Sequence, residues 1–310
     1  MQFWSSLADV PAGCAATSVT VGKFDGVHLG HQALLKAATD AAAAHSLTSV
    51  CVTFDRHPDA LLAPDRLRRP LIGPGQKAGL IDAAGLEAML ELPFDHDLAC
   101  LSPREFVERI LVTALNVKHL VVGQDFRFGA KGAGTVQTLQ ELGEEFGFSV
   151  EVIAPVLIDG QRVSTSLIRE LLDSGDVATA ARLLGRPHST VGVVEHGLKL
   201  GRQLGFPTAN ISRSAEGFLP LDGIYAGWLH ASGERYPAAL SIGINETIQA
   251  VPRVLEAHVL DRDDLDLYDQ TVTVEYVSFL RAPAKFSGIE ELIGAIRRDC
   301  DAIREILNRD

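Results

Sequence analysis

The chain has 310 residues, 46% hydrophobic and 22% charged, with a formal net charge of −12; it is long enough for two cores and ordinary for a globular protein. That acidic balance argues against nucleic acid as a standing partner, because backbone phosphates need a basic surface. A small phosphate ligand stays open, since a nest of backbone N–H groups and one or two cations suffices for it.

Along the chain, the amino-terminal MQFWSSLADVPAGCAATSV has no basic region and no apolar run long enough for a signal peptide or a membrane span. The four cysteines, Cys14, Cys51, Cys100 and Cys300, lie far apart with no C-x-x-C pair. That spacing makes neither a zinc cage nor a disulfide framework, so a soluble cytoplasmic protein is expected. Short apolar runs then alternate with helical patterns. SVTVG (18–22), TSVCVTF (48–54), LEAMLEL (86–92), KHLVVG (118–123) and FSVEVIAP (148–155) read as strands, with helices at about 28–45, 75–84, 103–114 and 134–147. The clearest helix start is LSPREFVERIL, where Ser102, Pro103 and Glu105 spell a capping box with proline in the first turn. Repeated strand–helix–strand units predict a doubly wound parallel sheet, with its ligands at the carboxyl ends of the strands.

Two short helices, SLIRELLDSG (166–175) and DVATAARLLG (176–185), lead into a different texture. TVGVVEHG, IYAGWLHASG, RYPAALSIG, VLEAHVLD and TVTVEYVSFL are strand-like runs separated by turn residues, which predicts a small antiparallel barrel. A helical pattern from Gly288 to Leu307 closes the chain. The expected architecture is α/β: a doubly wound domain over 1–185, then a barrel domain with a C-terminal helix over 186–310.

VTVGKFDGVHLGHQALL (19–35) is strand, glycine turn, helix, the geometry that aims N–H groups and a helix dipole at an anion. His28 and His31 fall three apart on the first turn, so both can face one phosphate, and an imidazolium there would stabilise charge developing on a phosphoryl group. A His-x-x-His metal site lacks further ligands nearby. The segment resembles the signature of the HxGH nucleotidylyltransferases, which attack the α-phosphate of a nucleoside triphosphate and release pyrophosphate without a protein nucleophile. RVSTSLIREL (162–171) resembles their hydroxyl-and-arginine motif, with its hydroxyls permuted at Thr165-Ser166-Leu167; taken alone it reads equally as an N-cap cluster. TFDRHP (53–58) and VVGQDFRFGAKGAG (121–134) narrow the resemblance to the bifunctional riboflavin kinase/FAD synthetases. It implies that Gly22, Phe24, Asp25, His28, His31, Asp125, Phe126, Phe128, Arg162, Ser164, Thr165 and Arg169 serve nucleotide or flavin. For Phe126 and Phe128, plain core packing competes with ring stacking on a ligand.

GRQLGFPTANI (201–211) matches the riboflavin kinase motif. Thr208 and Asn210 are hard oxygen ligands two residues apart on an extended strand, suited to Mg²⁺, and the resemblance adds Gly201 and Arg202 to the nucleotide site. VLEAHVLD matches the segment that carries the family's catalytic glutamate, which makes Glu256 the candidate base for the ribityl hydroxyl. Arg281 and Phe286 stand at their family places. Riboflavin, FMN, FAD and ATP are the implied ligands, with Mg²⁺ as cofactor; no nucleic acid or membrane partner is implied, and the oligomeric state stays open. Departures fall mainly in the kinase half: Lys199 and Leu200 in a loop usually rich in glycine and arginine, Glu246 for a usual proline, and Asp269 after Tyr268 where glycine is usual. They keep open a paralogue with an impaired or re-targeted kinase half, or a flavin-binding protein without turnover.

Overall fold

The computed structural model describes residues 1–66, 68–197, 201, 204–243 and 253–309. By their contacts these divide into two compact units, Met1–Pro70 with Pro74–Ser164, and Leu71–Gly73 with Thr165–Asp310.

In the first unit β1 (Gln2–Trp4), β2 (Thr17–Val21), β3 (Thr48–Phe54), β4 (Ala88–Leu92), β5 (Val117–Gly123) and β6 (Ser149–Ile153) form a parallel sheet in the order β1-β4-β3-β2-β5-β6. Helices on both faces explain why β2 is buried along its whole length. They are α1 (Leu29–His45), a single turn α2 (Asp59–Leu62), α3 (Pro74–Ala83), α4 (His96–Cys100), α5 (Pro103–Phe106) and α6 (Val136–Phe146). The expected capping box starts α5: Ser102 Oγ accepts the Glu105 N–H at 3.2 Å, and Glu105 Oε2 accepts the Ser102 N–H at 2.9 Å. Beyond Phe106 the same helix widens into a π-helix over Val107–Ala114. The edge strand β1 escapes a periodicity reading because three residues carry no pattern. A two-stranded hairpin, β7 (Leu157–Ile158) and β8 (Gln161–Arg162), follows β6.

Strand order fixes where a ligand belongs. From β2 the chain runs outward through β3 and β4, then returns to place β5 on β2's other side. The switch point therefore lies between β2 and β5, and the loops leaving it are GKFDGVH and QDFRFG.

The second unit opens with α7 (Thr165–Asp173) and α8 (Val177–Leu184). β9 (His188–Glu195), β10 (Ala209–Ile211), β11 (Gly223–Ala231), β12 (Glu234–Gly243), β13 (Val254–Val259) and β14 (Thr271–Arg281) close an antiparallel barrel in the order β10-β13-β12-β11-β14-β9. Along β13 the residues alternate half-buried and buried, so one face fills the barrel and the other looks outward. The C-terminal α9 (Ile289–Leu307) packs Cys300, Ile303 and Leu307 against Ala226 and Leu260.

Candidate active sites

In the first unit the loop after β2 is wound tightly: Phe24, Gly26 and Val27 all have positive φ, at 50°, 84° and 40°. His28 takes the N-cap position of α1, where its Nδ1 accepts the His31 N–H at 3.3 Å. That bond leaves the ring proton of the neutral form on Nε2. The His28 and His31 rings stack at 3.7 Å and 15°. Gly30 makes this stack fit, because a Cβ there would come 3.1 Å from the His28 ring. Burial, helped by the neighbouring His28, pushes His31 well below the usual imidazole range. The imidazolium expected from sequence is thus corrected for His31: with two rings packed face to face away from water, the neutral form is favoured. Its Nδ1 is buried without a hydrogen-bond partner, a polar atom that a phosphate oxygen would satisfy.

Of the aromatic residues that the resemblance assigns to nucleotide or flavin, Phe24 and Phe128 lie in the interior, 0% and 6% exposed, which for Phe128 is the core-packing alternative. Phe24 packs edge-on to His31 at 5.3 Å, and Phe128 sits between Phe106 and Phe126 at 5.7 Å from each. Both rings support side chains rather than offering a face. Phe126 is half-buried against the core. Gly22 closes β2 and Asp25 is half-buried in the loop. Asp125, in the loop leaving β5, and Arg162 on β8 form an exposed ion pair, so residues 37 apart in sequence are brought together. Ser164 ends the first unit. Thr165 starts α7, and Arg169, 8% exposed, is buried one turn later. Among the described residues no group of three or more His, Cys, Asp or Glu side chains would hold a metal ion.

The barrel site rests on register. Asn210 on β10 pairs directly with Glu256 on β13, and Glu256 in turn with Ser241 on β12. Their flanking residues Ala209, Ile211, Leu255 and Ala257 fill the barrel, which turns this polar row outward. Glu256, Ser241 and Thr208 line a groove of about 380 Å³, within the usual size of small-molecule sites. Its apolar side comes from Phe206, Ile224, Phe286, Leu292 and Ile296. Arg281 is fixed there by Asp299 of α9, with Nη2 to Oδ2 at 2.7 Å and Nε to Oδ1 at 3.0 Å. Burial raises the Glu256 carboxyl above its usual range, which suits a proton acceptor. Two glycines leave room beside the oxygen donors: a Cβ on Gly197 would meet the Asn210 side chain at 2.4 Å, and one on Gly201 the Phe206 carbonyl at 2.4 Å. Thr208 and Asn210, two neutral oxygen donors next to glycine-opened space, fit a magnesium ion that keeps waters and phosphates.

Residues 12–167 match the family model for FAD synthetase, and residues 184–307 that for riboflavin kinase. The bifunctional riboflavin kinase/FMN adenylyltransferase of Pseudomonas fluorescens is 39% identical over 95% of this chain and 93% of its own. The enzyme so named from Escherichia coli K12 is 35% identical over 94% and 92%. The chain belongs to the bifunctional riboflavin kinase/FMN adenylyltransferase family. A crystal structure described as a macrolide-efflux protein from Streptococcus pneumoniae superposes with a TM-score of 0.87 at 30% identity, over 97% of this chain and 98% of that one. Here, among the described residues, no helix is long and apolar enough to cross a membrane.

Of the departures from the riboflavin kinase/FMN adenylyltransferase pattern, Lys199, Leu200 and Glu246 lie outside the described residues, as does Arg202. Asp269 has a simple account: its φ is 60°, the left-handed region where glycine is usual and where asparagine and aspartate are the side chains tolerated in its place. Its N–H still bonds the Val194 carbonyl at 3.0 Å. Two groups were missed by sequence reasoning. His258 stands two residues beyond Glu256 and lines the same groove; the period of two along a strand signals it. Lys77 of α3 is buried, with Nζ 2.7 Å from the Phe54 carbonyl and 3.0 Å from Glu91 Oε1. It ties together the ends of β3 and β4, and no local pattern announces it.

Proposed function

We propose that the barrel transfers the γ-phosphate of ATP to the ribityl 5'-hydroxyl of riboflavin, and that the parallel-sheet unit joins AMP from a second ATP to the FMN so formed. In functional terms the first module spans 1–185 and the second 186–310, in a cytoplasmic protein. Glu256 accepts the hydroxyl proton as the new O–P bond forms and the bond to ADP breaks. Thr208 and Asn210 hold magnesium, which when bound neutralises phosphate charge and orients the nucleotide. In the other module an FMN phosphate oxygen attacks the α-phosphate and pyrophosphate leaves. His28 and His31 donate to the triphosphate oxygens at the mouth of α1, with Gly22 and Asp25 shaping the loop. Asp125 and Arg162 face the flavin and nucleotide, and Ser164, Thr165 and Arg169 serve the triphosphate as their motif implies.

The observation that carries this reading is the direct pairing of Asn210 with Glu256, beside a groove that also holds Thr208. The purified chain, given riboflavin, ATP and Mg²⁺, is followed for FMN and FAD. Glu256→Gln is expected to lower FMN formation by about 10² to 10⁴ while FAD formation from supplied FMN persists; His31→Ala is expected to do the reverse. Loss of both activities in either variant, or neither product from the unaltered chain, refutes the assignment.

A further inference from the structure

Antiparallel pairing of β10 with β13 runs Ile211 to Leu255, Asn210 to Glu256 and Ala209 to Ala257, and there it stops. Pro207 lies beyond that end and has no N–H with which to extend the ladder, and with the strand pairing over, its carbonyl accepts from a side chain instead. His258, the next residue of β13, supplies one: its Nδ1 lies 2.8 Å from the Pro207 oxygen. A carbonyl only accepts, so Nδ1 carries the proton. The ring is further held by Phe206, edge-on at 5.5 Å and 82°. From its other side the same segment is braced by Gly201, whose carbonyl accepts the Phe206 N–H at 2.8 Å and whose missing Cβ leaves space for the Phe206 carbonyl.

We propose that His258 is a positioning residue of the kinase site, which through its bond to the Pro207 carbonyl fixes the turn that presents the Thr208 hydroxyl, and so sets the affinity for magnesium nucleotide rather than the proton transfer. The same strand thereby carries two tasks on one outward face. Glu256 meets the substrate hydroxyl, and His258 shapes the phosphate end. Burial holds the His258 imidazole below its ordinary range, and geometry directs the Nδ1 proton at the Pro207 carbonyl.

The proposal rests on the assignment of Thr208 to magnesium. The test therefore uses the full chain in a Trp4→Phe background, which leaves Trp228 of β11 as the one indole and as a reporter of barrel unfolding. Three variants are compared, His258→Leu, His258→Gln and His258→Asn; asparagine places an amide N–H near the position of Nδ1, whereas glutamine places it near Nε2. In Leu and Gln the Mg²⁺ concentration for half-maximal FMN formation is expected to rise about tenfold, with kcat at saturation changing less. The rise in the barrel's thermal midpoint on adding Mg·ADP should shrink in parallel. His258→Asn should recover both, and all three should make FAD from supplied FMN at the unaltered rate. Unchanged magnesium dependence in Leu or Gln, or an Asn variant as impaired as Leu, overturns the proposal. If the unaltered chain makes FMN but Mg·ADP leaves its barrel midpoint unmoved, the magnesium assignment itself falls instead.

Discussion

Acid should loosen the kinase barrel through one residue, His188 at the start of β9. It is 2% exposed, its Nε2 donates to the Phe218 carbonyl at 2.6 Å, and its ring lies stacked 5.7 Å from that of Tyr276. Burial pushes its pKa down to about 4, with Arg186 opposing protonation further and the Phe218 bond acting the other way. An unfolded histidine titrates near about 6.5. The folded value is the lower one, so the unfolded chain takes up the proton first. Stability is therefore full above about pH 6.5 and drains as pH falls toward about 4. At about 1.4 kcal/mol per tenfold difference in proton affinity, the loss is about 3 kcal/mol. With urea slopes of about 1 to 3 kcal/mol per molar, the barrel midpoint should drop by about 1 M or more between pH 7 and pH 4 from this group alone. Carboxylates add their own acid sensitivity, so the measurement is a difference: Trp228 fluorescence in Trp4→Phe chains, with and without His188→Gln, which keeps an N–H near the Nε2 position. The glutamine chain should lose about 3 kcal/mol less over that range. Equal losses in the two chains would show that His188 is not held neutral by the barrel.

Three further outcomes follow from contacts. Gly30→Ala sets a methyl 3.1 Å from the His28 ring and should tilt it off His31, cutting pyrophosphate release with FMN and ATP about tenfold. The same change gains up to about 1 kcal/mol of helix propensity, so a fall in melting temperature together with unchanged turnover would contradict the stacking argument. Lys77→Met leaves Glu91 without its cation at a largely buried position and should cost about 3 to 5 kcal/mol by chemical denaturation; adding Glu91→Leu should return most of it, and additive losses would deny the coupling. At Asp269, valine should cost about 1 to 2 kcal/mol in barrel stability while glycine is tolerated, and the reverse order in thermal melts would remove the left-handed strain from the account.

The sequence made the longer strands and helices of both units legible because their patterns are local: five strands of the parallel sheet, the Ser102 box and the C-terminal helix need only periodicity and capping chemistry, whereas short elements such as β1, β7 and α4 carry no pattern. It also offered the motif residues as candidates, through their resemblance to a family whose phosphate loops carry glycine, histidine and hydroxyls at fixed spacing. What it did not carry was burial and cross-strand register. Phe24 enters the ligand set only through the family resemblance, and for Phe128 core packing competes with ring stacking; the fold buries both rings. The lowered pKa of His31 likewise comes from burial and from the His28 ring packed upon it. His258 and Lys77 act through carbonyls of residues 51 and 23 positions away, and a carbonyl leaves no mark in sequence because every residue has one. Residues that meet a ligand are constrained in type and so can be read from the chain; residues that hold the backbone in place are constrained by where the chain returns. In this protein the second kind gathers at strand ends, where a ladder runs out and a side chain must finish the hydrogen bonding, as His258 does beside Pro207 and Lys77 beside Phe54.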